Sequence, residues 1–303
     1  MYLKSGMYVY IDLFSINAAI TNAATKIKFV KINNDKPYLS SQGLNVEQIV
    51  KSLNSIIKEN NIYLRSISFI IYPDFVFSRA LKIPIIDKNK IKESIMWEMA
   101  LFINDIKDYY VDFKITDRTI KANEKVYNIL SCAVPKSIIN DYYSISKFLK
   151  LKIKYIDIYQ NCILRAYKKA LLGKKEKPII LNIKSSKTLI MIIDGNNIFY
   201  EKNICIGIDN IMQNDNIDMP SFDIFANEIL HIIDFYVMEN NGCRLTGIYI
   251  DTYLNFQEKI ISCLTGKCLL DIHGCQDMIL SKKFTCPEEI NNVVSLYGLA
   301  LRG

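Results

Sequence analysis

Residues 7–13 (Met-Tyr-Val-Tyr-Ile-Asp-Leu) alternate with a period of two, which predicts a first β-strand, and a second strand is expected near 25–32. Over 46–58 the period changes. Val46, Ile49, Val50, Leu53, Ile56 and Ile57 fall on one helical stripe, Asn45 and Gln48 have capping-box spacing, and Asn60 and Asn61 mark the end. Residues 66–72 (Ser-Ile-Ser-Phe-Ile-Ile-Tyr) are nearly all apolar, as a central parallel strand would be.

The rhythm then shifts. Phe77 to Ile83 reads as a strand, and Asp87 caps a helix with Ile91, Ile95, Met99 and Phe102 on one face. Strands follow at about 109–117 and 125–134, joined by the polar turn Lys121 to Glu124. Pro135 opens a helix carrying Ile138, Ile139, Tyr142, Ile145 and Leu149, and a strand at 152–158 closes this stretch. The order strand, helix, strand, strand predicts a small α+β module at about 77–152, inserted into a first lobe spanning 1–172.

A helix over 159–172 ends at Gly173, and the charged stretch Lys174 to Pro178 forms a linker over 173–178. The opening pattern then recurs in a second lobe, 179–303. Strands at 179–183 and 188–193 flank the turn Lys184-Ser185-Ser186-Lys187, and a third follows Asp194-Gly195-Asn196-Asn197. A long helix over 222–240 turns Phe222, Phe225, Ile229, Ile232, Ile233 and Tyr236 inward. A strand at 246–251, a helix at 255–264, a short strand at 268–272 and a last helix begun at Pro287 complete the chain. The fold class is α/β with two similar lobes.

Composition narrows the function. The 303 residues are 50% hydrophobic and 23% charged, enough for two packed domains and too apolar for disorder. The net charge of +7 comes from scattered lysines. No basic block interleaved with aromatics marks a nucleic-acid groove. No apolar run has the length of a transmembrane helix, and Asp12 breaks the Met7–Ile11 run, so a first strand is expected there rather than a signal peptide. A cytoplasmic chain is expected, with its eight cysteines reduced. Cys263, Cys268, His273 and Cys275 lack the paired spacing of a zinc knuckle, so no metal site is expected. His231 reads as a helix-face residue. Trp97 reads as core of the module, with a partner groove as the alternative role.

Two turns stand at equivalent places in the two lobes: Asp12 to Asn17, with Asp12, Ser15 and Asn17, and Asn182 to Thr188, with Asn182, Lys184, Ser185, Lys187 and Thr188. Paired turns of this kind grip nucleotide phosphates in actin-like ATPases and sugar kinases. There a strand-end Asp handles metal and water, and a Gly lets backbone N–H groups approach the anion.

With these turns the chain resembles the PilM family, the actin-like component of type IV pilus machines, and more distantly FtsA. The resemblance runs over nearly the whole length. It includes Leu81-Lys82-Ile83-Pro84, the run Asn128 to Pro135, Ile156-Asp157-Ile158, Asn227-Glu228-Ile229 and the closing run Tyr297 to Gly303. It implies an actin-like two-lobed fold and a scaffold at the inner face of the cell membrane. It also implies binding of the short N-terminal tail of PilN, an extended peptide laid near Arg79, Lys82, Ile83 and Pro84.

The departures concern the nucleotide. Against the family's first turn, D-x-G-S-x-S-x-K, Phe14 replaces Gly and Ala19 replaces Lys. Against D-x-G-x-x-x-T, Asn182 replaces Asp and Lys184 replaces Gly. Asp251-Thr252 stands where a Gly-Gly turn meets adenine. The turns read as remnants: a cofactor is not expected, and neither is ATP hydrolysis. Lys184 and Lys187 could still face a phosphate, or could belong to a solvated turn. The alternatives are an ATP-binding protein that switches lobe closure, and a metabolite kinase on the same fold.

Overall fold

The computed structural model describes residues 6–21, 27–60, 63–121, 124–170, 176–194, 197–240, 242–275 and 292–302. The chain opens with strands β1 (Gly6–Ile11), β2 (Ser15–Thr21) and β3 (Ile27–Asn33), and the small pair β4 (Leu39–Ser40) and β5 (Gly43–Leu44). Helix α1 (Val46–Glu59), β6 (Ser66–Ile71), β7 (Phe77–Pro84), α2 (Lys88–Ala100), β8 (Tyr109–Lys121) and β9 (Glu124–Pro135) follow. Next come α3 (Lys136–Leu149), β10 (Lys152–Ile158), α4 (Tyr159–Ala170), β11 (Pro178–Ile183), β12 (Thr188–Asp194) and β13 (Asn197–Ile204). After them run α5 (Ile208–Ile211), β14 (Met212–Gln213), β15 (Asn216–Ile217) and α6 (Met219–Glu239). β16 (Gly247–Asp251), α7 (Leu254–Thr265), β17 (Ile272–Gly274) and α8 (Val293–Ala300) close the described chain. The expected helix end at Gly173 and helix start at Pro287 lie outside the described residues.

Contacts divide the chain into one unit of residues 1–10, 17–32 and 159–303 and another of 11–16 and 33–158. In the first unit β1, β2 and β3 lie side by side, and a second sheet has the order β13-β12-β11-β16-β17. β11 pairs antiparallel with β12 and parallel with β16, so the residues at its C-terminal end sit beside those of β16. The core over this sheet is built from Ile179, Leu181, Ile190, Ile192, Ile248 and Ile250 with the inward face of α6, where Phe222, Phe225 and Ile229 are fully buried. Each such side chain contributes about 1.5–3 kcal/mol on burial.

Helix α6 starts three residues earlier than its apolar stripe, because Asp218 caps it. The Asp218 carboxylate accepts from the Ser221 N–H at 3.2 Å and the Ser221 hydroxyl at 2.5 Å. Asp218→Ala is expected to lower stability by about 1 kcal/mol in urea unfolding, with Ser221→Ala costing less because the backbone bond survives.

In the second unit β6 pairs in parallel with β10, and all of β6 beyond Ser66 is buried, which explains its unbroken apolar run. Helices α1 and α3 pack on each other. The inserted module is a three-stranded sheet of order β7-β9-β8 covered by α2. Leu81, Ile83, Ile91, Ile95, Met99 and Ile129 form its core.

Three expectations needed correction. The expected turn over Asp12 to Asn17 is shorter, because Ser15–Thr21 form β2. Ser, Asn and Ala are weak strand formers, but every residue of this segment is buried, and packing overrides propensity. Trp97 is 73% exposed, so it is not core: α2 is one layer over its sheet, and Ile91, Ile95 and Met99 already fill the buried stripe. Phe102 lies beyond the last residue of α2 and is also exposed; the chain turns after Ala100, and Ile103 takes the buried place.

Candidate functional site

The first candidate turn is a tight reversal between β1 and β2. The Asp12 N–H donates to the Ser15 carbonyl at 2.8 Å, and one Asp12 carboxylate oxygen accepts from the Leu13 N–H at 2.9 Å. Asp12 and Ser15 are buried. The Leu13 and Phe14 carbonyls accept from Tyr38 N–H (2.7 Å) and Asn34 N–H (2.9 Å), which pins the turn from behind. At its tip Leu13 and Phe14 are exposed, so an aromatic ring stands where a Gly would leave the backbone open. Asn17 is fully buried within β2.

The second turn joins β11 to β12. The Lys184 N–H donates to the Lys187 carbonyl at 2.9 Å, closing the hairpin. The turn is held from outside by Ile208 N–H on the Lys184 carbonyl and Asp209 N–H on the Ser185 carbonyl, each at 2.8 Å. Thr188 is buried and its hydroxyl donates to the Ile206 carbonyl at 2.8 Å. The Ser185 hydroxyl lies 3.4 Å from that of Tyr253. Lys187 is half-buried.

Asn182, at the end of β11, and Asp251, at the end of β16, are register partners. The Asn182 side-chain amide donates to an Asp251 carboxylate oxygen at 3.2 Å, and the Tyr159 hydroxyl donates to the same oxygen. Burial pushes the Asp251 carboxyl above the ordinary carboxylate range, while the charge of Lys184 and the bonds from Tyr159 and Asn182 pull it back. Burial, and then the charge of Asp251, holds the Tyr159 phenol well above its usual value, so it keeps its proton and acts as donor. The Lys184 ammonium donates to the Asn292 side-chain oxygen. It also lies 5.0 Å from the centre of the Tyr10 ring and 5.7 Å from that of Tyr159. Both distances are within cation–π range. Asn292 adopts a left-handed backbone (φ 62°) just before α8.

The sequence reading singled out Asn182, Lys184 and Asp251 one by one. It missed Tyr159 and Asn292, which are distant in the chain. The signal was present, since Lys184 and Asp251, both singled out in the sequence, carry complementary charges. The second turn offers a magnesium nucleotide little: Asn182 is a neutral amide where the expected turn has its carboxylate, the Lys184 side chain fills the place of a Gly, and Asp251 is already bonded to Tyr159 and Asn182. Among the described residues no group of three or more His, Cys, Asp or Glu is gathered to hold a metal ion. The His273 ring packs 5.4 Å from that of Tyr249.

In the module, β7 is an edge strand. The Ile85 N–H donates to the Lys125 carbonyl, so the ladder alternation assigns Ile83, Leu81 and Arg79 to the β9 side and turns the backbone of Ala80, Lys82 and Pro84 to the outer edge. Pro84, which has no N–H, suits that edge position. Ile83 is buried beneath α2, whereas Arg79, Lys82 and Pro84 are exposed. The Arg79 guanidinium stacks on Phe102, 3.4 Å from the ring centre.

No helix among the described residues is long and apolar enough to cross a membrane. Neither the protein-family models nor the curated proteins give a match to the chain. Among solved structures, the chain matches one described as a PilM–PilN type IV pilus biogenesis complex with a TM-score of 0.80 and 12% identity, over 99% of this chain and 98% of that one. A Bacteroides thetaiotaomicron protein with an actin-like ATPase fold and unknown function gives a TM-score of 0.52 at 11% identity, covering 99% and 96%. The cytoplasmic domain of EpsL, an inner-membrane component of the Vibrio cholerae type II secretion system, gives 0.52 at 8% identity with the same coverage. The chain therefore has an actin-like fold, with the inserted module in place.

Proposed function

We propose that the chain is a cytoplasmic scaffold of a type IV pilus inner-membrane assembly platform, and that it binds the extended N-terminal tail of a PilN-like protein. The observation that carries this reading is the gap in similarity. The match to the PilM–PilN structure reaches a TM-score of 0.80 over the full length, against 0.52 for the actin-like Bacteroides protein and for the EpsL domain at similar coverage. The edge position of β7 supports it, because an extended peptide can add to a sheet edge while side chains beside it set the register. Of the residues the resemblance points to, Arg79, Lys82 and Pro84 are exposed and in this reading meet the peptide, and the buried Ile83 supports the strand from the core. In this reading the chain reaches the inner face of the membrane through its partner.

The nucleotide turns are remnants. Phe14 covers the first, and the second has lost its carboxylate at Asn182, so the scaffold works without ATP hydrolysis.

Titration of the full chain with a synthetic PilN tail, with and without Mg-ATP, tests this. Saturable binding unchanged by Mg-ATP is expected. Arg79→Ala should weaken it about tenfold, as loss of a stacked arginine anchor does, with little change in unfolding temperature. Binding that depends on Mg-ATP would instead favour a nucleotide-driven switch, and no binding in either condition would refute the pilus reading.

A further inference from the structure

Resting on the reading of 182–188 as a former phosphate turn, we infer that this turn now carries its own ligand: the Lys184 ammonium is the resident cation of a half-buried site built from an amide oxygen, a carboxylate and two aromatic rings. Four groups converge on it from separate parts of the chain. Asn292, ahead of α8, accepts its hydrogen bond. Tyr10 of β1 and Tyr159 of α4 present ring faces at 5.0 and 5.7 Å. Asp251 of β16 supplies the compensating negative charge and is fixed in place by Tyr159 and Asn182.

The chemistry is coherent. A partly desolvated ammonium needs a counter-charge and acceptors, and the two aromatic faces add attraction on the side turned from solvent. Lys184 is half-buried, while its partners Asp251 and Asn292 are 5% and 1% exposed, so solvent reaches the pair from the lysine side only and screens it less than a fully exposed ion pair. The substitution at Asn182 fits the same arrangement. An Asp there would place a second carboxylate against Asp251, whereas Asn donates to it. The loss of the metal-binding Asp, the gain of Lys184 and the gain of Asp251 are one change: a cation once brought by a ligand is now tethered by four methylenes.

The test is a double-mutant cycle on the full chain at pH 7, read by chemical unfolding. Lys184→Met should lower the folding equilibrium constant by about 100-fold, since it leaves the buried Asp251 carboxylate unpaired, and Asp251→Asn by about 10-fold, since the half-buried Lys184 is partly solvated. The double variant should lose much less than the product of the two, and additive losses would overturn the assignment. Propylammonium chloride should raise the unfolding temperature of Lys184→Ala, and not of the wild type, relative to sodium chloride at equal ionic strength. No rescue would count against a shaped cation site. Should the single variants fail to fold, the wild type decides. Lysine labelled with ¹⁵N should show one ammonium resonance whose protons exchange slowly with water, and lysines that all exchange at the surface rate would refute the proposal. Stabilisation of the wild type by Mg-ATP would also refute it. Failure of the peptide titration alone would strike the pilus reading and leave this cycle to be read on its own.

Discussion

Replacing Gly298 by alanine is expected to cost more than about 3 kcal/mol, although alanine is the better helix former by about 1 kcal/mol. The reason is backbone crowding. A Cβ at Gly298 would lie 1.8 Å from the Cys162 carbonyl oxygen, 2.6 Å from its carbon and 3.2 Å from the Cys162 Cα. None of these atoms is the end of a flexible side chain, so helices α4 and α8 would have to separate. The Gly298 carbonyl also accepts from the Arg165 Nε at 2.9 Å, a bond that separation would stretch. Val294, Leu296 and Leu299 of α8 are buried and would lose their packing. Urea unfolding checks this, with Gly266→Ala as control. A Cβ there meets only the Cys263 carbonyl oxygen at 3.8 Å, and the backbone is right-handed, so stability should change by less than about 0.5 kcal/mol.

Gly207→Ala is the second large effect, and it acts on the candidate site. Gly207 has an extended backbone that any residue could adopt, so the obstacle is space rather than φ. A Cβ would fall 2.3 Å from the Lys184 carbonyl, 2.5 Å from the Ser185 carbonyl and 2.6 Å from the Lys187 nitrogen. The turn would be pushed away from Ile208 and Asp209, whose N–H groups hold those two carbonyls. The expected loss is more than about 2 kcal/mol, from overpacking and two strained hydrogen bonds. Hydrogen exchange at Ile208 and Asp209 should accelerate in the variant. Unchanged protection there would show that the turn had absorbed the methyl group.

Periodicity made much of this fold legible. The α1 stripe, the unbroken apolar β6 and the inward face of α6 each follow from a local spacing that burial then fulfils. What stayed hidden depended on partners distant in the chain. Nothing local distinguishes Ser15 to Thr21 from a loop, because its small polar residues are buried only once neighbouring strands cover them. Trp97 reads as core by composition, yet a single helix over a three-stranded sheet has only one inward stripe, and Trp97 is off it. The site divides in the same way. Asn182 and Lys184 stand out in the sequence as departures from a phosphate turn, while the arrangement around them requires Tyr159 and Asn292, which only the folded chain brings together.

The half-buried Lys184 side chain also bears on how the first unit responds to its surroundings. A lobe that closes on a diffusible ligand is stabilised by mass action, in proportion to the logarithm of ligand concentration, and loosens when the ligand runs out. A covalently tethered cation has no concentration to vary. Dilution, dialysis or a fall in cellular ATP leaves it in place, so the interactions of Lys184 with Asn292 and Asp251 persist whatever the energy state of the cell.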